Sequence, residues 1–75
     1  MLKIITPNMT VLTIGDKEIL FSYETPVAVR YSDASFLVSS NWFSKTTTAH
    51  INKWVGKKNP RAVSGPHHEI VAHIS

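Results

Sequence analysis

The chain has 75 residues, with 8 Lys and Arg against 5 Asp and Glu, a formal net charge of +3 and 43% apolar residues. That is one small domain with enough apolar side chains for a core, and it lacks the composition of a disordered chain. Cysteine is absent, which excludes disulfides, thiolate metal sites and cysteine nucleophiles.

Four of the first five residues are apolar, but Pro7 and Asn8 soon follow. They lack the longer apolar stretch and small-residue cleavage site of an export signal. No apolar run approaches the ~20 residues that span a bilayer. The expectation is a cytoplasmic protein with no membrane partner. Residues 2–5 predict a short strand at one edge of a sheet. Met9–Ile14 is rich in β-branched residues and predicts a second strand. Residues 18–23 alternate, with Ile19, Phe21 and Tyr23 on one face. Gly15-Asp16 between them suits a type II′ hairpin turn, with glycine at the first central position.

Thr25-Pro26 interrupts the next apolar stretch. Proline donates no ladder hydrogen bond, so it belongs at a strand start, a bulge or an edge. Val27, Val29 and Tyr31 then alternate with Ala28 and Arg30, residues 32–34 read as a turn, and residues 35–39 return with Phe36 and Val38 sharing a face.

After Ser40 the period changes. Ser44 or Thr46 can N-cap a helix running to about Val55. Thr47, Ile51 and Trp54 follow the i, i+4, i+7 spacing of one helical face, with His50 and Val55 at its margin. Gly56 stands where a left-handed residue would end the helix. Residues 57–61, Lys-Lys-Asn-Pro-Arg, form a basic loop. Trp42 and Phe43, at the strand-to-helix junction, are expected in the core, and would stack on bases only if exposed. Residues 64–66, Ser-Gly-Pro, break the pattern, and Pro66 suits the first position of a short helix. Ile70, Val71 and Ile74 fit its face, although residues 69–74 also alternate as a strand would. The fold expected is α+β: a small antiparallel sheet of three to five strands, one central helix over about 44–55, and a short C-terminal helix or strand. Val27, Val29, Phe21, Ile19, Ile51 and Trp54 should form the core. A core this small sits near the margin of stability, so a homo-oligomer stays among the expectations.

The charges are unevenly spread. Residues 1–33 carry a net −1, residues 34–68 carry +5 with no acid, and residues 69–75 carry −1. Lysines near a helix C-terminus favour its dipole, but that account needs neither Arg61 nor the absence of acids. The cluster therefore predicts an anion-binding surface, for nucleic acid or for an acidic host protein. Its candidate residues are Lys45, His50, Asn52, Lys53, Lys57, Lys58 and Arg61.

Other chemistries fit poorly. His68 and His73 are five residues apart, one too many for the helical zinc motif. No serine stands in a nucleophile-elbow context, and the three glycines are too scattered for a phosphate loop. No cofactor, metal site or enzymatic activity is expected.

Residues 23–30, Tyr-Glu-Thr-Pro-Val-Ala-Val-Arg, and 43–54, Phe-Ser-Lys-Thr-Thr-Thr-Ala-His-Ile-Asn-Lys-Trp, resemble a group of small proteins common in bacteriophage and environmental genomes. Their pattern is a Tyr-x-Thr-Pro-Val-Ala strand followed by a Ser-x-Thr-Thr-x-x-His-Ile-Asn-Lys-Trp helix. The resemblance covers about residues 18–56. It implies a phage or prophage origin and action inside the host cell, and carries no activity. Capping and packing account for Ser44, Thr47 and Trp54, and less well for His50 and Asn52.

Overall fold

The computed structural model describes residues 2–6, 8–56 and 59–74. Strands β1 (Leu2–Thr6), β2 (Met9–Ile14), β3 (Lys17–Ser22), β4 (Thr25–Arg30) and β5 (Phe36–Ser39) are followed by helix α1 (Lys45–Val55), strand β6 (Ala62–Gly65) and helix α2 (His67–Ala72). The sheet order is β1-β2-β3-β4-β5-β6. The first five strands form an antiparallel meander, and β6 adds to β5 in parallel. A parallel neighbour needs a long crossover, and α1 supplies it. The fold is thus the expected α+β arrangement, with the C-terminal segment a helix. The parallel strand β6 departs from a purely antiparallel sheet.

Local chemistry sets most of these elements. Ile14 pairs with Lys17, so Gly15-Asp16 forms the whole hairpin loop. Gly15 has φ +61° and Asp16 stays negative, as a type II′ turn requires. Pro26 marks a bulge. Leu20 pairs with Ala28 and Phe21 with Pro26, which leaves Val27 as an extra residue on β4. The bulge breaks the expected alternation: Val27 joins Ala28 on one face of the sheet, and Val29 lies on the other.

Successive residues of a strand point to opposite faces, and both faces are covered. Leu20, Val27, Ala28 and Phe36 pack with Val55 of α1, and Ile51 and Trp54 lie half-buried against them. Ile19, Val29 and Leu37 pack with Ile70 of α2 on the reverse face. The single expected core is therefore two cores. Ile19, Val27 and Val29 are buried, whereas Phe21, Ile51 and Trp54 are half-buried at the margins. The Trp54 ring meets Phe36 edge-on, with centroids 5.5 Å apart.

Ser44 is the N-cap of α1, its hydroxyl accepting from the Thr47 N–H at 3.1 Å. Gly56 ends the helix with φ +99° and ψ 134°, so its φ is positive as expected but its ψ lies outside the left-handed helical region. Its N–H bonds the Asn52 carbonyl at 2.9 Å. Asn59 then reaches back, Nδ2 donating to the Val55 carbonyl at 2.9 Å. Pro66 is the N-cap of α2 rather than its first helical residue.

Candidate nucleic-acid interface

Helix α1 repeats every 3.6 residues, which sets Lys45, Ala49, Asn52 and Lys53 along one stripe. All four are exposed. Lys53 lies in the last turn, where a cation favours the helix dipole. Lys45 opens the helix, at the positive end of that dipole, and no acid occupies the first turn. Helix stability therefore gives no reason for Lys45. Among the described residues the one ion pair is Arg30 with Glu18 at 2.9 Å, so Lys45 and Lys53 have no carboxylate partner.

Trp42 stands just ahead of this stripe and is 75% exposed. The expectation that Trp42 and Phe43 are both core residues holds only in part. Phe43 turns inward, half-buried and edge-on to the His67 ring, with centroids 5.4 Å apart. Of the two neighbours only Phe43 is packed, and the Trp42 indole is left in water.

Arg61 is exposed at the far end of the crossover, in the turn before β6. It is not free of acids, because the fold brings Asp33 near enough for its charge to be felt. The Asp33 carboxyl is held below the usual range by hydrogen bonds from Ser35, with Arg61 adding to the effect. Lys57 and Lys58 lie outside the described residues. His50 does not share the cationic stripe. Its ring turns to the end of β3, where Nδ1 is 2.8 Å from the Ser22 hydroxyl.

That contact belongs to a polar chain the sequence does not announce. Ser44 Oγ donates to Thr47 Oγ1 at 3.2 Å, Thr47 lies 2.9 Å from Ser22 Oγ, and Ser22 reaches His50. If each hydroxyl donates once, the order runs Ser44, Thr47, Ser22, His50, and the imidazole proton sits on Nε2. A serine against a histidine can serve as an activated nucleophile, but Ser22 is only 2% exposed. Its hydroxyl is spent joining β3 to α1. Beside it Tyr23 opens the β3–β4 hairpin with φ +58°, a costly conformation for an aromatic residue.

A second polar cluster fixes α2. Lys17 Nζ lies 2.9 Å from His73 Nδ1, and His73 Nε2 lies 3.0 Å from the Tyr31 hydroxyl. An ammonium only donates, so Nδ1 accepts and the ring proton faces Tyr31. Burial and Lys17 together hold the His73 pKa below its usual value, against an opposing pull from Glu69. Burial, with Glu69, raises that of Tyr31. His67, at the other end of α2, meets Ser39 Oγ at 3.0 Å. The spacing of His67, His68 and His73 hints at none of these partners, because each lies far away along the chain. No cluster of three metal-ligating side chains forms among the described residues, and no helix among them is long and apolar enough to cross a membrane.

The model of a family described as a family of unknown function (DUF8033) matches residues 2–71, and the chain belongs to that family. No curated protein and no solved structure matches the chain.

Proposed function

We propose that this family member is a small, non-enzymatic module that binds single-stranded nucleic acid along α1. The observation that carries the proposal is an exposed indole, Trp42, at the head of an acid-free helix whose outer stripe holds Lys45, Asn52 and Lys53. An aromatic platform beside a cationic track is the common arrangement for single strands: bases stack on the ring while ammonium groups follow the phosphates. Lys45 adds to this reading because the helix gains nothing from a cation at that end. Lys57, Lys58 and Arg61 extend the positive charge in sequence. Action in the cytoplasm of a phage-infected host fits the motif resemblance and belongs to the same proposal.

The test is fluorescence anisotropy of a labelled thymidine oligomer across a salt series. If three to five cations meet phosphates, log K against log salt should fall with a slope of roughly −2 to −3.5. Trp42→Ala should weaken binding about tenfold, from a stacking contribution of about 1–3 kcal/mol, with an unchanged melting temperature. Lys45→Glu with Lys53→Glu should abolish binding. A salt-independent affinity, or a Trp42→Ala variant that binds like the parent, would defeat the proposal.

A further inference from the structure

Strand β6 is an edge of the sheet, and its pairing shows which backbone groups face outward. The Phe36 N–H bonds the Arg61 carbonyl at 3.0 Å, and the Ser40 N–H bonds the Gly65 carbonyl at 2.8 Å. In a parallel ladder the N–H and C=O of one residue point the same way, and alternate residues point opposite ways. Residues 61, 63 and 65 therefore face β5, and residues 62 and 64 face away from it. The Ala62 N–H is taken by the Asn59 carbonyl at 3.2 Å. That leaves the Ala62 carbonyl and both backbone groups of Ser64 on the open edge. Pro60 and Pro66 flank this stretch and bring no N–H.

The side chains alternate as well. Val63 pairs with Leu37 and Gly65 with Ser39, and Leu37 packs against Ile70 of α2. Val63 and Gly65 thus lie on the α2 face, and Arg61, two residues earlier, follows the same alternation. Val63 is 61% exposed. Glu69 stands over Gly65, its Oε2 3.1 Å from where a Gly65 Cβ would lie. Arg61 and Glu69 are both exposed, and among the described residues neither has an opposite charge within ion-pair distance.

We infer that β6 pairs antiparallel with β6 of a second copy of this chain, about a two-fold axis at Val63. Hydrogen-bonded pairs of an antiparallel ladder need outward-facing residues on both strands. With Val63 on the axis, Ala62 lies opposite the partner's Ser64. Each Ser64 N–H then donates to the partner's Ala62 carbonyl. The side chains select this register. Val63 packs against the partner's Val63, with Cβ atoms about 4.5–5.5 Å apart. Arg61 falls opposite the partner's Gly65, under the partner's Glu69, so two Arg61–Glu69 ion pairs form across the axis. An axis at Ser64 also allows two main-chain bonds, but it sets Val63 against glycine and carries Arg61 past Gly65. The ladder stops where Pro60 meets the partner's Pro66. So short an interface makes a transient dimer, with a Kd of about 0.1–1 mM. The two-fold is closed, so one copy is added and no more. The outer stripe of α1 takes no part, so this inference and the nucleic-acid proposal can fail separately.

Sedimentation equilibrium of the full chain from about 20 μM to about 1 mM tests it, with amide hydrogen exchange on isotope-labelled chain at both ends of that range. The average mass should rise from one copy towards two. Exchange of the Ser64 N–H should slow about two- to fivefold at the higher concentration, following the fraction paired. The Val63 and Gly65 amides, already bonded to β5, should change little. Arg61→Glu and Glu69→Arg should each remain monomeric alone, because like charges meet across the axis. Mixed in equal parts they should dimerise, because each then faces its opposite. Loss of fold in either variant would not be repaired by mixing. A monomer at 1 mM, dimerisation with unchanged Ser64 exchange, assemblies larger than two, or folded charge variants that dimerise alone or stay apart when mixed would each overturn the inference. The measurements on the parent need no variant, so they decide even if a variant fails to fold.

Discussion

Ser22 ends β3 with its hydroxyl between two residues of α1, Thr47 and His50. Replacing Ser22 with alanine strands the buried Thr47 hydroxyl without an acceptor, which should cost about 1–3 kcal/mol. Urea unfolding would show this as a lower midpoint at unchanged slope; an unmoved midpoint would mean that the polar chain contributes nothing. His73 makes a second residue-scale prediction. Its pKa in the fold lies below the ordinary 6.5 because burial and Lys17 disfavour the imidazolium. As pH falls, the unfolded chain takes up this proton before the folded one. The stabilisation is therefore complete above about pH 6.5, declines as pH falls through the folded-state value, and then levels off. Unfolding free energy measured from about pH 8 to about pH 5 should drop in the parent and stay flatter in His73→Gln. Parallel curves would remove His73 as the cause. Trp42 and Phe43 show why single residues resist reading from sequence. Nothing local says which of two adjacent aromatics turns inward, and packing against His67 makes the choice.

Among elements, the β2–β3 hairpin and α1 were plain in the sequence. A Gly-Asp loop between alternating strands and a serine before a helical period are signals complete within a few residues. The bulge at Val27 was half legible. Pro26 announced an irregular ladder, but only pairing with β3 shows that Val27 joins Ala28 and not Val29. Strand β6 was not legible. Residues 62–65 are few, largely small or polar, and followed by proline, and they become a strand because α1 delivers them to the edge of β5. Gly65 then faces α2 at close range. A Cβ there would lie 2.8 Å from Leu37 Cδ1 and 3.1 Å from Glu69 Oε2. Leu37 is buried against Ile70 and has little room to yield. Gly65→Ala should therefore cost about 1–3 kcal/mol and loosen α2 from the sheet. Faster amide exchange in α2 than in α1 would be its mark, and equal protection of both helices in the variant would contradict it.

On the scale of the molecule, one sheet separates two small cores, and each helix seals one of them. Along the chain, the positive charge gathers in the crossover between β5 and β6. A polyanion that binds the folded crossover more tightly than the unfolded chain links binding to stability. At a hundredfold excess over its Kd, a thymidine oligomer should raise the unfolding free energy by about 2.7 kcal/mol. In thermal unfolding that is a rise of roughly 10 °C or more for a domain this size. An unshifted melt at low salt would count against nucleic acid as the partner.

The sequence by itself determined the β2–β3 hairpin, the extent of α1, the proline irregularity in β4 and the concentration of cations in residues 34–68. Each depends on backbone preference, hydrophobic period or composition over a short span. Only the tertiary structure decided that the apolar residues divide between two faces, that His50 and His73 close polar chains with Ser22, Thr47, Lys17 and Tyr31, and that Trp42 remains in water. Those outcomes rest on contacts between residues far apart in the chain. A polar side chain takes its role from whichever distant group the packed sheet places within hydrogen-bond reach.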